Sequence, residues 1–267
     1  MVVIGLGTPG RLIATEFKKW SQYRVILPKL PEYETVEEYE KKTPNFKQSL
    51  KGVKNEVWFV VCGASKEAAC SLRIMEQIKH CKIKVLYIYP ETEFISSIAT
   101  KRHRVVFNVL QEYTRSGVLD SMYIVSNAIT EQMSGGGTIN NYYNKMNETI
   151  ANLVHYYNIY KNTDPVMGEV HEPKSISRIR TLGVFDMEKN EEKFLFSLDN
   201  TTETCYIYNI TRDDLENDNT ILGNIKDKAK SNVANNINSS FAIYETEYDH
   251  NFCHVVAYTH YVQEEKK

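Results

Sequence analysis

The sequence predicts an α/β protein: a mostly parallel, doubly wound sheet, a long central helix, and then a smaller α+β C-terminal domain. From residue 1 to about 165, short and nearly continuous apolar segments alternate with amphipathic segments. This alternation is typical of parallel strands that are buried on both faces by the helices between them. A helical pattern at about 139–160 then gives way, from about residue 175, to strand-like segments around one further helix.

Four strand–helix pairs predict the first domain. Each strand is a mainly apolar run, and each helix repeats its apolar residues every three or four positions. In chain order the pairs are MVVIGLG with RLIATEFKKW, EVWFVVCG with SKEAACSLRIMEQIKH, IKVLYIYP with TKRHRVVFNVLQEYTRSG, and LDSMYIVSN with TINNYYNKMNETIANLVHYYNIY. The charged, proline-punctuated segment 28–50 is predicted to be a surface excursion with little strand content.

A polar segment with two prolines, NTDPVMGEVHEPKS, predicts the domain boundary. We expect a first domain at 1–165 that includes the central helix, a smaller domain at 175–262, and a short tail at 263–267. The smaller domain is predicted from the strands ISRIRTLGVFD, KFLFSLD, TCYIYNIT, SFAIYETEY and CHVVAYTHYVQ and the helix ILGNIKDKAKSNVANN.

Composition narrows the functional classes. The chain has 267 residues and a formal net charge of −2, so it lacks the basic footprint of nucleic-acid binders. The N-terminal MVVIGLG has the pattern of a strand rather than of a signal peptide, and no apolar run approaches membrane-spanning length. The five cysteines form no CxxC pair and are predicted to be reduced. We therefore expect a cytoplasmic protein without membrane insertion.

The first predicted strand ends in GLGTPGR, residues 5–11. Gly5 and Gly7 allow positive φ and close backbone approach, and Gly10 would let a helix start against the sheet. Free N–H groups at a helix start favour a phosphate, although Pro9 lacks one donor. The pattern also suits a tight turn that binds no ligand. A dinucleotide-binding enzyme would need an acidic residue about twenty positions on, where this chain has a proline-broken stretch.

The order of these segments resembles that of the tubulin/FtsZ family over nearly the whole chain. VVIGLGTPG is similar to the family's first glycine turn, and EVWFVVCG to the strand before its second glycine loop. LDSMYIVSN resembles the segment before the family's central helix, and YNKMNE its Phe-x-x-x-Asn-Asp pattern. TCYIYNITRDDL and SSFAIYETEYDHNFCHVVAYTH look like its C-terminal domain. Shared order matters because topology constrains where such pieces fall.

The resemblance implies a cytoskeletal protein of the prokaryotic, plasmid or phage type. Such a protein binds and hydrolyses GTP with Mg²⁺, and it assembles head-to-tail with copies of itself into filaments that serve a cargo or adaptor. The nucleotide-binding residues that the resemblance implies are Gly5, Gly7, Thr8, Gly10, Gly63, Ser65, Lys66, Asn127, Tyr143 and Asn147.

The segment matching the family's phosphate loop is CGASKEAACS, residues 62–71. It keeps only Gly63 of a run that the family writes GGGTG(T/S)G. Ala and Glu in such a loop cost conformational energy or add a repelling charge. Lys66 could supply a compensating cation and Ser65 a hydroxyl. Alternatively, Ser65 caps a helix over the residues that follow.

Tyr143 and Asn147 are four positions apart and therefore share one face of the central helix. By resemblance, Tyr143 would stack on the guanine ring and Asn147 would bind its edge. Asn127 stands in the place of the asparagine that ends the family's preceding strand. The alternative is a solvated polar helix start, because asparagine is frequent in this segment.

The segment NTDPVM matches the family's loop that enters the neighbouring subunit's site, where its carboxylate orients the attacking water. It supplies Asp164 as the candidate catalytic residue, but the third polar position of the family's loop falls on Met167. Asp164 is equally suited to a turn before Pro165.

Two other motifs are interpreted as structural. GGGT at 135–138 has the spelling of the family signature but follows the wrong strand, so we interpret it as a connector in which Thr138 caps the helix at 139–160. HNFCH at 250–254 alternates as a strand, and no metal site is predicted there. Three functions then remain open: a GTP-dependent filament protein; the same fold after loss of hydrolysis or nucleotide binding, acting as a structural or partner-binding protein; and an unrelated dinucleotide-binding enzyme, against which the missing acidic residue counts.

Overall fold

The computed structural model describes residues 1–135, 138 and 141–263. Contacts within the chain group it into two units, Met1–Ala151 and Asn152–Gln263. The first unit contains a parallel sheet with helices between its strands, and the second contains a mixed sheet with its own helices. The predicted class, a mostly parallel α/β part followed by a smaller α+β part, is confirmed.

The sheet of the first unit consists of five parallel strands. In chain order they are β1 (Val2–Leu6), β2 (Arg24–Ile26), β3 (Glu56–Cys62), β4 (Lys82–Tyr89) and β5 (Ser121–Ser126). Hydrogen bonding arranges them in the order β2-β1-β3-β4-β5. The inner strands are buried along nearly their whole length, which explains why their sequences are continuous apolar runs rather than alternating ones.

Among the described residues of the first unit, five helices connect or follow these strands. They are α1 (Gly7–Glu16), α2 (Val36–Lys41), α3 (Ser71–Glu76), α4 (Ser97–Arg115) and α5 (Asn127–Met133). Short 3-10 helices follow α1 at Phe17–Lys19 and precede α3 at Lys66–Cys70. Because crossovers between parallel strands are right-handed, α1 lies on one face of the sheet, and α2, α3 and α4 lie on the other.

The central helix α6 runs from Tyr142 to Lys161. Its first half belongs to the first unit and its second half to the second unit. The predicted helix started at residue 139, but Ile139 and Asn140, like Gly136 and Gly137 of the GGGT segment, lie outside the described residues.

Thr138, the predicted cap of α6, does not directly precede the described start of that helix. The Thr138 carbonyl accepts a hydrogen bond from the Asn141 N–H at 2.8 Å. Gly135 has φ +73°, and a Cβ added to it would meet no described atom within 4 Å, which fits the turn that was predicted at this end of the segment.

The second unit contains six strands and two helices of its own. The strands are β6 (Met167–Gly168), β7 (Ile179–Asp186), β8 (Glu191–Phe194), β9 (Glu203–Thr211), β10 (Asn238–Thr246) and β11 (Phe252–Thr259). The helices are α7 (Arg212–Asn217) and α8 (Ile221–Ala234). The strand order is β7-β11-β9-β10-β6, with β8 paired to β7. Only β9 and β10 pair in parallel, and the other pairs are antiparallel.

Aromatic side chains form much of the core of the second unit. Phe185 of β7 and Tyr206 and Tyr208 of β9 pack in one buried cluster with Ile225 of α8. The ammonium of Lys228, also on α8, lies 4.9 Å from the centroid of the Phe185 ring, within the range of a cation–π interaction. The strand tyrosines of this half of the chain therefore act as packing material.

The described cysteine and histidine residues do not form a metal site. All five cysteines are free thiols, and the described residues include no group of three His, Cys, Asp or Glu side chains that could hold a metal ion. In the HNFCH segment, His254 instead stacks its ring on Tyr156, with centroids 5.3 Å apart. Within the described part of the chain, every helix is too short or too polar to traverse a bilayer.

Candidate nucleotide-binding site

The switch point of the parallel sheet lies between β1 and β3. From β1 the chain moves to β2 on one side, and it then returns to β3 on the other. In open α/β sheets a crevice forms at such a point, beyond the carboxyl ends of the two strands, and it is the usual ligand site. Because β1 ends at Leu6 and β3 at Cys62, the turns 7–10 and 63–66 are the two that meet at this crevice.

The first turn presents free backbone donors. Gly7 opens α1 with φ +68°, a conformation that favours glycine. No side chain caps this helix, so its first N–H groups have no partner from a capping residue. Pro9 has no N–H, which leaves the N–H groups of Gly7 and Thr8 as donors toward the crevice. Thr8 is exposed.

The other two glycines of this turn have steric roles. A Cβ on Gly5 would lie 2.4 Å from the carbonyl oxygen of Gly10, and a Cβ on Gly10 would lie 2.4 Å from the carbonyl oxygen of Val60. Both distances are far below van der Waals contact, so any larger residue would push α1 away from the sheet. Gly5 and Gly10 therefore hold the helix start against β3.

Ser65 brings the second turn against the first. A Cβ built on Gly7 would lie 2.7 Å from Ser65 Oγ, so the hydroxyl lies directly beside the Gly7 backbone. This oxygen is buried and has no hydrogen-bond partner. Ser65 occupies the N-cap position of the 3-10 helix Lys66–Cys70, but its side chain makes no capping hydrogen bond. The alternative interpretation was therefore right about the helix start and wrong about the side-chain cap.

The charged residues of the second turn are arranged differently from expectation. The Lys66 ammonium donates to the carbonyl oxygen of Glu34 at 3.2 Å, so it is engaged by the 28–50 excursion. The Glu67 carboxylate instead lies near the first turn, 3.6 Å from the position of a Cβ on Gly7. The compensating cation predicted at Lys66 is thus tied to another loop, while a negative charge lies beside the glycine turn.

Two buried side chains support the Gly63 end of the turn. A Cβ on Gly63 would lie 1.9 Å from the Tyr87 hydroxyl oxygen, so only glycine fits here. That hydroxyl lies 2.7 Å from His103 Nδ1. Burial, with a smaller effect of Arg104, lowers the pKa of His103 to about 4, so the imidazole is neutral at pH 7. Sequence reasoning missed Tyr87 and His103 because both have the pattern of core residues.

Arg102 fixes the backbone of the same turn. Its Nη1 atom donates to the carbonyl oxygen of Ala64 at 2.6 Å, while its Nε is buried without a partner. The interaction joins the start of α4 to the end of β3. A hydrogen bond to a charged group contributes about 1.5–3 kcal/mol, enough to hold a short turn in one conformation.

The predicted base-side residues lie on α5 and α6. Asn127 is the first residue of α5. Asn147 is 9% exposed, whereas Tyr143, four positions earlier, is 62% exposed with its ring edge-on to Tyr142 at 5.0 Å. None of the three predicted residues hydrogen-bonds to the glycine turns, and the burial of Asn147 argues against a fully solvated helix start. Its neighbour Glu148 binds Lys19 at 2.9 Å.

Asp164, the candidate catalytic residue, lies in the second unit. It is exposed in the short connection between α6 and β6. The connection is held by Tyr244, whose hydroxyl donates to the carbonyl oxygens of Tyr160 at 2.6 Å and Thr163 at 3.2 Å. An exposed carboxylate on an anchored turn is available to another molecule.

The comparisons with known proteins find similar folds among solved structures, but no similar sequences. No family model and no curated protein matches the sequence. Among solved structures, the chain is similar to a GTPγS-form protofilament of TubZ from Bacillus thuringiensis serovar israelensis, with a TM-score of 0.73 and 12% identity over 96% of this chain and 86% of that one. CetZ from Methanosaeta thermophila matches with a TM-score of 0.67 and 14% identity over 98% of this chain and 86% of that one.

An FtsZ dimer from M. jannaschii also matches, with a TM-score of 0.66 and 9% identity over 96% of this chain and 87% of that one. These likenesses show that the chain has the α/β fold of the tubulin/FtsZ type.

Proposed function

We propose that this protein binds GTP with Mg²⁺ at the crevice between β1 and β3, hydrolyses it, and assembles head-to-tail into filaments. The observation that carries the proposal is the pairing of Gly7 with Ser65 at the switch point. A left-handed glycine, free N–H groups at a helix start and a buried hydroxyl without a partner converge there. Phosphate oxygens are the acceptors that such donors fit.

The residues present fit a nucleotide only if a cation accompanies it. The N–H groups of Gly7 and Thr8 and the hydroxyl of Ser65 would donate to phosphate oxygens. The Glu67 carboxylate beside Gly7 would repel them, and Lys66 is engaged elsewhere. Bound Mg²⁺ would supply the positive charge that offsets both the carboxylate and the phosphates.

The residues that would bind the guanine base lie on α6 and α5. Asn147, nearly buried on the first half of α6, would bind the edge of the guanine, and exposed Tyr143 would stack on its face. Asn127 would lie near the nucleotide from the start of α5. An amide presents both donor and acceptor atoms, so Asn147 could both donate to and accept from the edge of the guanine.

The exposed position of Asp164 supports head-to-tail assembly. In the proposed filament, the exposed turn that carries Asp164 would enter the crevice of the next copy, where the carboxylate would orient the attacking water. Head-to-tail contacts that do not close generate filaments. The matched TubZ structure is itself a protofilament. We expect such a filament to work in the cytoplasm on a cargo or adaptor that the chain does not identify.

A second candidate function is favoured by the second turn. Only Gly63 of the family's glycine run is present, a carboxylate faces the first turn, and the lysine points away. These features support a protein that keeps the fold and the self-association but has lost hydrolysis or nucleotide binding, and that acts as a structural or partner-binding protein.

Light scattering at 90° of concentrated protein, with and without GTP and Mg²⁺, separates the two functions. The nucleotide content of the denatured protein is read by chromatography in parallel. GTP-dependent scattering that decays as phosphate is released supports the first function. Scattering that is the same with and without GTP, from protein that contains no bound nucleotide, supports the second function. Absence of both assembly and bound nucleotide contradicts the proposal.

The variant Asn147→Ala tests the base-side assignment, with Asn144→Ala as its control. Asn144 lies three positions earlier on the same helix and is exposed. We expect Asn147→Ala to weaken GTP binding by about tenfold, the equivalent of one lost hydrogen bond, while Asn144→Ala binds like the original chain. Equal affinity of the two variants would remove Asn147 from the site.

A further inference from the structure

A cavity of about 880 Å³ lies on the helical face of the first unit, outside the nucleotide crevice. Its walls are α2, the 3-10 helix with α3, and α4. Small-molecule sites typically have volumes of about 300–1,000 Å³ and are mainly apolar with a few polar groups. The size of this cavity therefore places it among ligand sites rather than packing defects.

The cavity has an apolar floor and an apolar mouth. Ile83, Leu110 and Leu119 contribute to its floor and are at most 3% exposed. Four large apolar side chains around it are instead strongly exposed: Ile98, Val105, Tyr113 and Val118. Scattered exposed apolar residues need no explanation, but a cluster around one concave site marks a binding surface.

Helix α4 shows the same feature along its length. One stripe of α4, which includes Phe107 and Leu110, is buried against the sheet. A second apolar stripe, formed by Ile98, Val105 and Val109, borders the cavity. A helix that covers a sheet and faces water needs only one apolar stripe, the one that contacts the sheet. The second stripe on α4 therefore indicates an apolar ligand in the cavity.

Polar groups are concentrated where α3 and α4 begin. Ser71 is 2% exposed and lines the cavity, and its Oγ has no hydrogen-bond partner. Arg102, also on the cavity wall, has a buried Nε without a partner. Since α3 and α4 each follow the carboxyl end of a parallel strand, their first turns lie at the same edge of the sheet, together with Lys101.

The charges on the cavity wall leave an excess of cations. Arg73 lies 3.8 Å from both Glu40 and Glu76. With Lys79, Lys101, Arg102 and Glu37, the wall carries four cationic and three anionic side chains, an excess of one positive charge. The ligand that this balance favours is an anion.

We infer that the cavity binds a free, single-chain anionic amphiphile of the long-chain fatty-acid class. Its carboxylate lies at the start of α4, with Lys101, Arg102 and the Ser71 hydroxyl as partners. Its hydrocarbon chain follows the second stripe of α4 toward Tyr113 and Val118. A free amphiphile fits better than a bilayer surface, because a flat membrane would leave the buried floor and Ser71 untouched. The inference is independent of nucleotide binding.

The test is calorimetric titration of the full-length protein with hexadecanoate below its aggregation concentration. We expect one molecule per chain, and affinity at least about tenfold weaker for hexadecan-1-ol, which lacks the charge. Equal affinity for the acid and the alcohol, several molecules per chain, or no binding would overturn the inference. Binding to phosphatidylglycerol vesicles without binding of the free acid would also overturn it and would assign the surface to a membrane.

Two surface variants and one control locate the site. Val105→Glu puts a charge at the cavity mouth, and Lys101→Glu reverses the rim charge; each is expected to weaken hexadecanoate binding by about tenfold or more. Val233→Glu makes the same change on α8, where Val233 is 59% exposed against 63% for Val105, and should bind normally. Circular dichroism confirms that all three fold. Equal losses in Val105→Glu and Val233→Glu would show non-specific adsorption and refute the site.

Discussion

At the scale of single residues, the crevice depends on positions where only one side chain fits. Gly7 has a left-handed backbone, and Ser65 occupies the space that a side chain on Gly7 would need. The sequence alone predicted glycine turns and named both residues as candidates. It did not predict that they touch, because they are far apart along the chain and local pattern carries no information on such contacts.

Replacing Gly7 tests this contact. Gly7→Ala should lower the free energy of unfolding by about 1–2 kcal/mol for the left-handed backbone alone, with a further loss from the clash with Ser65 Oγ. Gly135→Ala is the matched control, because Gly135 has φ +73° but nothing within 4 Å of an added Cβ. Urea denaturation of both variants measures the difference. Equal losses would mean that the two turns are not in contact.

His103 predicts a pH dependence of stability. Its folded-state pKa of about 4 lies below the value of about 6.5 for an exposed histidine. As the pH falls from 6.5 toward 4, the unfolded chain therefore binds a proton that the folded chain does not, and the free energy of unfolding decreases. Between pH 7 and pH 5 the loss from this residue is about 2 kcal/mol.

The variant His103→Gln isolates that contribution. Glutamine offers the Tyr87 hydroxyl an acceptor but cannot titrate. Urea denaturation at pH 7 and pH 5 should give a smaller decrease for the variant than for the original chain by about 2 kcal/mol. His155, whose pKa is also lowered to about 4 by burial, titrates in both proteins and therefore cancels. An unchanged pH dependence would show that the pKa of His103 is not lowered in the folded state.

At the scale of elements, sequence periodicity predicted which segments are helices and which are strands, but it predicted their first and last residues less well. The strands of the first unit follow the continuous apolar runs because burial on both faces leaves no room for polar residues. The predicted helix after Ser65 instead begins as a 3-10 helix at Lys66–Cys70 and becomes α-helical only over Ser71–Glu76. The bond from Arg102 to Ala64 holds the preceding turn, and no local pattern reveals an interaction over 38 residues.

Helix α4 illustrates a boundary set by one side chain. It begins at Ser97 because Ser96 Oγ accepts the Ala99 N–H at 3.2 Å, whereas the sequence pattern placed its start near Thr100. Ser96→Ala should cost about 1 kcal/mol of the free energy of unfolding. Ser97→Ala, one position into the helix, should cost little. Chemical denaturation of the two variants measures the difference, and equal stabilities would mean that this cap contributes nothing.

At the scale of the whole molecule, the order of motifs was more informative than any single motif. The first glycine turn, the Gly63 strand and the central helix each match the family's pattern only in part, yet their sequence order predicted the fold. The degenerate phosphate loop shows why the site was harder to predict. Ser65, Lys66 and Glu67 are adjacent in sequence but have different roles. Ser65 lies against Gly7 at the crevice, Lys66 binds the 28–50 excursion, and Glu67 adds a negative charge beside Gly7. These roles depend on tertiary contacts, which the local sequence does not reveal.

The proposed filament predicts that each hydrolytic site is formed by two copies of the chain. If the crevice of one copy and Asp164 of the next form each hydrolytic site, then Asp164→Ala and Gly7→Ala should each abolish GTP turnover when assayed alone. Mixing the two variants in equal amounts creates some contacts between an intact crevice and an intact Asp164 turn. In a random head-to-tail polymer these are roughly a quarter of all contacts, and phosphate release should recover to about that fraction. Turnover by Asp164→Ala alone, or no recovery in the mixture, would show that the two residues do not meet across a subunit contact.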